Sequence, residues 1–554
     1  MRAYPARVAV LAFVAALTAS WIVRGQTAAN HSLVVLENLG LPAIDEGVLQ
    51  DDSHAPNTAE AIRRRALGAA LAAQRTGHET GRYAPGRVIV KFRDAVSTTG
   101  RLTALSTASR TASLRTRPSY ADFDIVSIDP GEDAEAVART LRARPDVEYA
   151  QPAYRMHTQL KPNDPLYAEL QWNLPLIDLE SAWDIQTQAG SAVTVAILDT
   201  GVAYQNATIT TTIPAFHDED GRPYPALGQV TIPYAAATQL VSPGRFVAPH
   251  DFIWDTTTPL DFDGHGTHIS GTVGQLTNDN IGTAGVAFNV KLMPVKVIGG
   301  VWDDLFGSPN QGTDDLVARG IRYAADNGAQ VINMSIGRTG PANCTTNSNA
   351  DGCAPAVEAA IRYAVSKGSF VVIAAGNSFE DGNPTEVVAE IAARVPGAVS
   401  VAAVDRRATG QTGGHRCLGT AAQPDCHAYY SNTGSWVELS APGGSERGFG
   451  RDGFVWQQAF NFNFTDTFLL PPSQYRAPRF DVFAYIGAIG TSMAAPHVSG
   501  VAAMLIQQGI TSPAAVEAAL EKFAVDLGDS GRDNTYGFGL IDARNALRGL
   551  GLAR

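Results

Sequence analysis

Gly490-Thr491-Ser492-Met493-Ala494-Ala495-Pro496-His497 leads straight into an apolar run, Val498 to Leu505. A serine set between a glycine and small residues, at the head of such a run, predicts a tight loop feeding a buried helix. That loop presents one hydroxyl to a cleft, and the helix N-terminus behind it favours negative charge. A serine hydroxyl alone is a poor nucleophile. It needs a base to take its proton and a third group to orient that base.

Two upstream stretches supply the other two groups. Val195-Ala196-Ile197-Leu198-Asp199-Thr200-Gly201-Val202 is a β-rich apolar run ending in an acid and a turn glycine. It predicts a buried strand that delivers a carboxylate at its C-terminal end, where open α/β sheets build their sites. Asp263-Gly264-His265-Gly266-Thr267-His268-Ile269-Ser270-Gly271-Thr272 places a histidine at the glycine-rich mouth of a helix. Singly, these are commonplace: a turn-forming Asp, a surface or core His, an N-capping Ser. Together, in the order Asp199, His265, Ser492, they resemble the subtilase family of serine proteases, whose triad runs in that order.

Between and around them, β and α signals alternate. Val290–Val297 reads as a strand, Asp314–Asn327 as a helix and Val331–Ser335 as a short strand. Cys353–Ser366 reads as a helix, and Phe370–Ala375 as a strand ending at Gly376-Asn377. This alternation predicts a parallel sheet with helices on both faces, an α/β fold. The resemblance implies that Asn377 donates its amide to the oxyanion beside the Ser492 N–H. It also implies that Ser335-Ile336-Gly337, with Ala375 and Gly376, binds substrate and walls the pocket for the residue being cleaved. Where many relatives carry a second glycine this chain has Arg338, which is expected to point to solvent.

The N-terminus carries Arg2 and Arg7, then an apolar run from Val8 to Val23 with small residues at Ala16, Ala19 and Ser20. That is the layout of a secretory signal, taken as residues 1–26, and the run is short for a membrane span. Residues 27–85 read as a linker with one helical patch, Thr58–Gln74. From residue 86 to 158 the pattern is that of a small α+β unit: strands at Arg87–Phe92, Asp124–Ile128 and Val147–Tyr154, and a helix at Ala134–Ala143. It resembles the inhibitory propeptide of subtilases, a ferredoxin-like domain that chaperones folding and leaves its tail in the cleft. Processing is expected within Met156–Leu160, leaving residues 159–554 as a subtilisin-like catalytic domain.

The resemblance extends to a calcium site near the start of that domain. In thermitase-like members the acid of an Asn-Asp-Pro segment helps ligate calcium, and Asp164 holds that position. The loop Leu276 to Thr283 would add Asp279 and the carbonyls of Leu276, Ile281 and Thr283. The second carboxylate usual in the family has no clear counterpart, with Asp218 and Asp220 as candidates. No metal or organic cofactor is expected in the chemistry itself.

The chain has 554 residues, 45% hydrophobic and 17% charged, with a net charge of −12. It is long enough for a large core, and its acidity argues against nucleic acid as a partner. The four cysteines allow three connectivities. Local pairing, Cys344 with Cys353 and Cys417 with Cys426, is favoured because loop residues flank each pair, and export makes disulfides plausible. Two stretches, 204–261 and 445–484, read as insertions that carry no chemistry of their own. The chain is therefore expected to be a secreted, monomeric, self-processing serine endopeptidase acting on extended polypeptides. Its alternatives are a silent scaffold on the same fold and an esterase. The scaffold is opposed by an intact Asp199, His265, Ser492 and Asn377, and the esterase by the absence of a Gly-x-Ser-x-Gly elbow.

Overall fold

The computed structural model describes residues 83–115, 117–154, 160–218, 221–341, 344, 351–407 and 426–547. The signal-like run, the Thr58–Gln74 patch, Met156 to Gln159, Asp220 and Cys417 lie outside the described residues. Two compact units divide near residue 160.

The small unit is a four-stranded antiparallel sheet in the order Ser113–Leu114, Asp124–Ser127, Tyr83–Phe92, Val147–Tyr154. Alternation along Tyr83–Phe92 buries Val88, Val90 and Phe92 on one face. Those residues meet Val137 and Leu141 of the helix Ala134–Arg142, whose N-cap Asp133 accepts the Glu135 N–H. A second helix, Thr98–Ala108, has no counterpart in the sequence reading. Its Thr-rich, Gly-containing sequence has weak periodicity, and packing of Ala104 and Leu105 into the unit's core supplies what propensity does not. The strand–helix–strand, strand–helix–strand order gives the ferredoxin-like topology expected.

The large unit is built on seven parallel strands: β1 (Thr194–Asp199), β2 (His250–Asp251), β3 (Lys291–Lys296), β4 (Val331–Met334), β5 (Phe370–Ala374), β6 (Ala398–Val404) and β7 (Leu439–Pro442). They lie in the order β2-β3-β1-β4-β5-β6-β7. β4, β5, β6 and β7 are buried at every position, as expected of a parallel sheet covered on both faces. Four helices matter for the site: α1 (His265–Gly274), α2 (Asp314–Asp326), α3 (Pro355–Ser366) and α4 (Thr491–Gln507). Leu316 and Ile321 of α2 and Val357 and Ile361 of α3 pack on Leu198, Met334 and Ile373 of the sheet. α1 and α4 pack together, and α4 lies along β4, β5 and β6.

The chain leaves β1 toward β3 on one side and returns to β4 on the other. The crevice past the C-terminal ends of β1 and β4 is therefore the topological switch point, where sheets of this kind bind ligands. The two insertions flank it. In the first, Ala207–Ile213 pairs with Gly228–Tyr234; in the second, Val455–Phe460 pairs with Phe483–Ala488. They are fastened to each other. Ala235 N–H donates to the Phe480 carbonyl, Phe480 N–H to that of Pro233, and Tyr234, Phe262, Phe460 and Phe480 form one aromatic cluster. No helix among the described residues is long and apolar enough to cross a membrane.

Candidate active site

Asp199 ends β1 and is fully buried. His265 opens α1, and its Nδ1 lies 2.7 Å from Asp199 Oδ1. The close approach depends on Gly266, where a Cβ would collide with the Gly201 carbonyl and press on Asp199. Asp199 Oδ1 also accepts the Thr200 N–H at 2.8 Å, while Oδ2 is buried without a partner among the described residues. Burial works against protonating His265, but the Asp199 charge and hydrogen bond, helped by Asp263 and Asp261, carry its pKa up to about 9. Asp263 sits beside it, pushed up to about 6 by burial first and by Asp261 second.

Asp261 was not singled out from the sequence, yet one buried carboxylate ties these parts together. Its Oδ1 accepts from the Thr200 hydroxyl and from the N–H groups of Asp263 and Gly264; its Oδ2 accepts the Thr267 N–H and hydroxyl. The Thr200 hydroxyl receives the Gly266 N–H in turn. An acid two residues before Asp-Gly-His, in position to cap the turns of a glycine-rich loop, was the available signal.

Ser492 is the second residue of α4, so its N–H has no acceptor within the helix. Its hydroxyl donates to the Ser335 carbonyl at 3.1 Å, just past the end of β4. The Ser492 carbonyl is itself freed by Pro496, four residues on, which has no N–H to give it. The Ser335 hydroxyl takes that vacancy at 2.8 Å. Ser335 Oγ accepts from Asn333 Nδ2, and Asn333 Oδ1 from Ser499, so the polar chain runs back into α4.

Asn377 lies just past β5. Its Oδ1 accepts both the N–H and the hydroxyl of Thr491, at 2.8 and 2.9 Å. With the oxygen held, the amide nitrogen faces away from Thr491, and a Cβ at Gly490 would lie 3.5 Å from it. The Thr491 hydroxyl also accepts the Gly376 N–H. Thr491 thus positions both residues, which nothing in the local sequence signalled.

Gly337 leaves β4 toward a two-stranded ribbon, Thr339–Gly340 with Thr385–Glu386. Arg338 does not point freely to solvent as expected. Its guanidinium is bidentate to Asp314 at 2.7 and 3.0 Å and donates to the carbonyls of Gly352 and Cys353. The planar fork matches a carboxylate and two carbonyls that its own loop presents. That loop is closed by the Cys344–Cys353 disulfide, which is present as expected; the expected Cys417–Cys426 pair involves a residue outside the described ones.

Asp164 is buried and does meet the Leu276–Thr283 loop. It accepts the N–H groups of Asn278 and Asp279, and Asn163 accepts that of Asn280. Burial raises the Asp164 pKa, and the nearby Asp279 carboxyl adds to that. Gln239, from the first insertion, donates to Asp279 Oδ2, and its buried Oε1 has no partner among the described residues. Two carboxylates brought together in this way suit a hard cation. Thr283 fits less well, since its carbonyl already accepts from Gln275. Ile281 is half exposed, and its N–H donates to Asp279. Asp218 is turned to Arg222 in its own hairpin and is not part of the set.

The subtilase family profile matches residues 190–539, and a fervidolysin N-terminal prodomain profile matches residues 69–153. The second begins inside the stretch read as a linker. A thermophilic serine proteinase of Bacillus sp. (strain AK1) is 29% identical over 521 residues, 93% of this chain and 97% of its own. Thermitase of Thermoactinomyces vulgaris is 30% identical over 387 residues, covering 70% of this chain and 99% of thermitase. An extracellular protease of Xanthomonas campestris is 29% identical over 472 residues, 79% of this chain and 68% of that protein. By the extent of the family match, the chain belongs to the subtilase family of serine peptidases and carries a prodomain ahead of the peptidase unit.

Proposed function

We propose that the protein is a secreted, monomeric endopeptidase, made as a precursor that processes itself through Asp199, His265 and Ser492. The observation that carries this reading is the 2.7 Å contact of His265 with Asp199, set in the switch-point crevice that also holds Ser492 at the head of α4. Ser492 Oγ leaves the Ser335 carbonyl, gives its proton to His265 Nε2 and attacks the scissile carbonyl. The tetrahedral oxyanion is met by the Ser492 N–H and by Asn377 Nδ2, donors that are aimed before charge develops. Asp199 fixes the imidazole with Nδ1 protonated and stabilises the cation without accepting its proton. His265 then gives the proton to the leaving amine, and water repeats the sequence on the acyl-enzyme.

Substrate is read mainly as extended backbone along Ser335-Ile336-Gly337 on one side and Ala375-Gly376 on the other. A structural calcium would be held by Asp164 and Asp279 with carbonyls of the Leu276–Thr283 loop, a reading supported by the approach of the two carboxylates. The ion would offset the repulsion between the buried Asp164 and the exposed Asp279.

Expression from Gln26 onward, followed by intact mass beside Ser492→Ala, tests the reading. The wild type should lose about 130 residues as a one-step cleavage ahead of the peptidase unit, and Ser492→Ala should stay whole. Processing of both forms, or of neither, would overturn self-processing.

A further inference from the structure

Glu386 is a buried acid that the chemistry above leaves without a use. It is only 5% exposed. Its short strand pairs with the segment that follows Gly337, with Glu386 opposite Thr339. The side chain spans two glycines. A Cβ at Gly376 would come within 3.3 Å of Glu386 Cβ, and a Cβ at Gly337 would collide with its carboxyl group. Gly337 and Gly376 follow β4 and β5, which are neighbours in the sheet. The carboxylate therefore floors the gap between the two walls given to substrate, and each wall lacks a side chain where it meets the acid.

Among the described residues no cation is in contact with the acid. Arg338 gives it a backbone N–H, but the Arg338 guanidinium is turned to Asp314 and to two carbonyls. Among the described residues Glu386 makes no ion pair. Burial drives its pKa up to about 7, and the N–H groups of Arg338 and Val388, with the more distant Arg338 charge, pull only part of the way back. An apolar group entering the gap would desolvate the acid further, whereas a cation would replace the water it has lost.

We propose that Glu386 selects substrates carrying Arg or Lys at the residue whose carbonyl Ser492 attacks, its carboxylate receiving the cationic head group between Gly337 and Gly376. This rests on the reading of those two segments as the substrate walls. Arg can offer two parallel N–H groups to the carboxylate, and Lys one compact charge.

The test is a matched series of internally quenched peptides that differ only at that residue: Arg, Lys, Gln, Leu and Phe. With the mature wild type, kcat/KM for Arg and Lys should exceed that for Leu and Phe by about tenfold or more. In Glu386→Gln the Arg-to-Leu ratio should fall by about 30-fold or more, since the isosteric amide keeps the shape and loses the charge. Benzamidine, an aryl cation, should inhibit wild type at least about tenfold better than the variant. A wild-type preference for Leu or Phe over Arg and Lys overturns the proposal without any variant needing to fold. So does a ratio unchanged in Glu386→Gln. If instead Ser492→Ala cleaves every peptide as well as wild type does, the peptidase reading itself falls, and this selection with it.

Discussion

Replacing Asp261 by Asn should loosen the geometry of the histidine without touching any group that meets substrate. Asp261 Oδ1 accepts three hydrogen bonds at 2.9 to 3.0 Å, and Oδ2 accepts two from Thr267 at 2.9 and 2.6 Å. Asparagine keeps the shape but offers one oxygen and an NH2. If its oxygen takes the place of Oδ1, the NH2 faces the Thr267 N–H, and that bond becomes a donor–donor clash. The Thr267 hydroxyl can turn to accept, yet it already accepts the Ala203 N–H. Two hydrogen bonds to a charged acceptor are worth about 1.5–3 kcal/mol each, and relief of a buried charge returns part of that, so a net loss of about 3 kcal/mol is expected. At about 2–4 °C per kcal/mol for a large domain, Tm should fall by roughly 6–12 °C. Thermal unfolding of the full chain, followed by circular dichroism in a Ser492→Ala background, measures this without autolysis. In the active background, displacement of His265 relative to Asp199 should lower kcat/KM by about 100-fold. A Tm within about 2 °C of the parent, with kcat/KM within about twofold, would refute the view that Asp261 sets the spacing of β1 and α1.

The pH profile should follow His265: an imidazolium cannot take the Ser492 proton, so kcat/KM should climb with pH, pass half its maximum near 9, where the raised pKa lies, and level off above that. Because that pKa is raised above 6.5, the His265–Asp199 pair stabilises the fold fully below about pH 6.5 and loses that contribution as pH rises through about 9; an activity plateau already reached at pH 6 would contradict both statements. Ser335→Ala should cost about 1–3 kcal/mol by stranding the Ser492 carbonyl, and adding Pro496→Ala, which restores a helical N–H donor, should recover about 1 kcal/mol of it. Equal destabilisation by Pro496→Ala in both backgrounds, measured by chemical denaturation, would mean that the vacancy left by the proline is not what Ser335 fills. Chelation with EDTA should lower Tm by about 5 °C or more, and Asp164→Ala should lower it in plain buffer and abolish the response to EDTA; an equal response in the two proteins would remove Asp164 from the ion's ligands.

The contact of Asp199 with His265 and the place of Ser492 at the head of a buried helix were legible because each sits in a short window whose neighbours are themselves constrained. Gly266 must be glycine for α1 to approach β1, and the apolar run before Asp199 can only be a doubly covered strand. Local sequence therefore carries local geometry. The parallel sheet was legible for the same reason: strands buried on both faces read as unbroken apolar runs, and β4, β5 and the helix before each fall within a few residues of where periodicity puts them. The misses have a common cause too. Thr98–Ala108 forms only because the small unit's core accepts Ala104 and Leu105. Arg338 is decided by Asp314 and by a loop that a disulfide closes, 14 to 15 residues further on. Gln239 reaches Asp279 from an insertion that looked inert.

Pro496 separates the two kinds of information most clearly. Read locally, a proline six residues into a helix is a defect, since it removes a hydrogen bond and crowds the preceding turn. Read in the folded chain, it leaves the Ser492 carbonyl open, and Ser335 closes it from the end of a strand 157 residues earlier. The same serine's carbonyl holds the Ser492 hydroxyl. The head of α4 is thereby pinned to β4 by two bonds in opposite directions, and the nucleophile is fixed against the wall along which substrate backbone would lie. A helix that satisfied the Ser492 carbonyl itself would not need that strand. Tying the reactive turn to the substrate-binding edge follows from breaking the helix's internal pattern at the point where the site requires an outside partner.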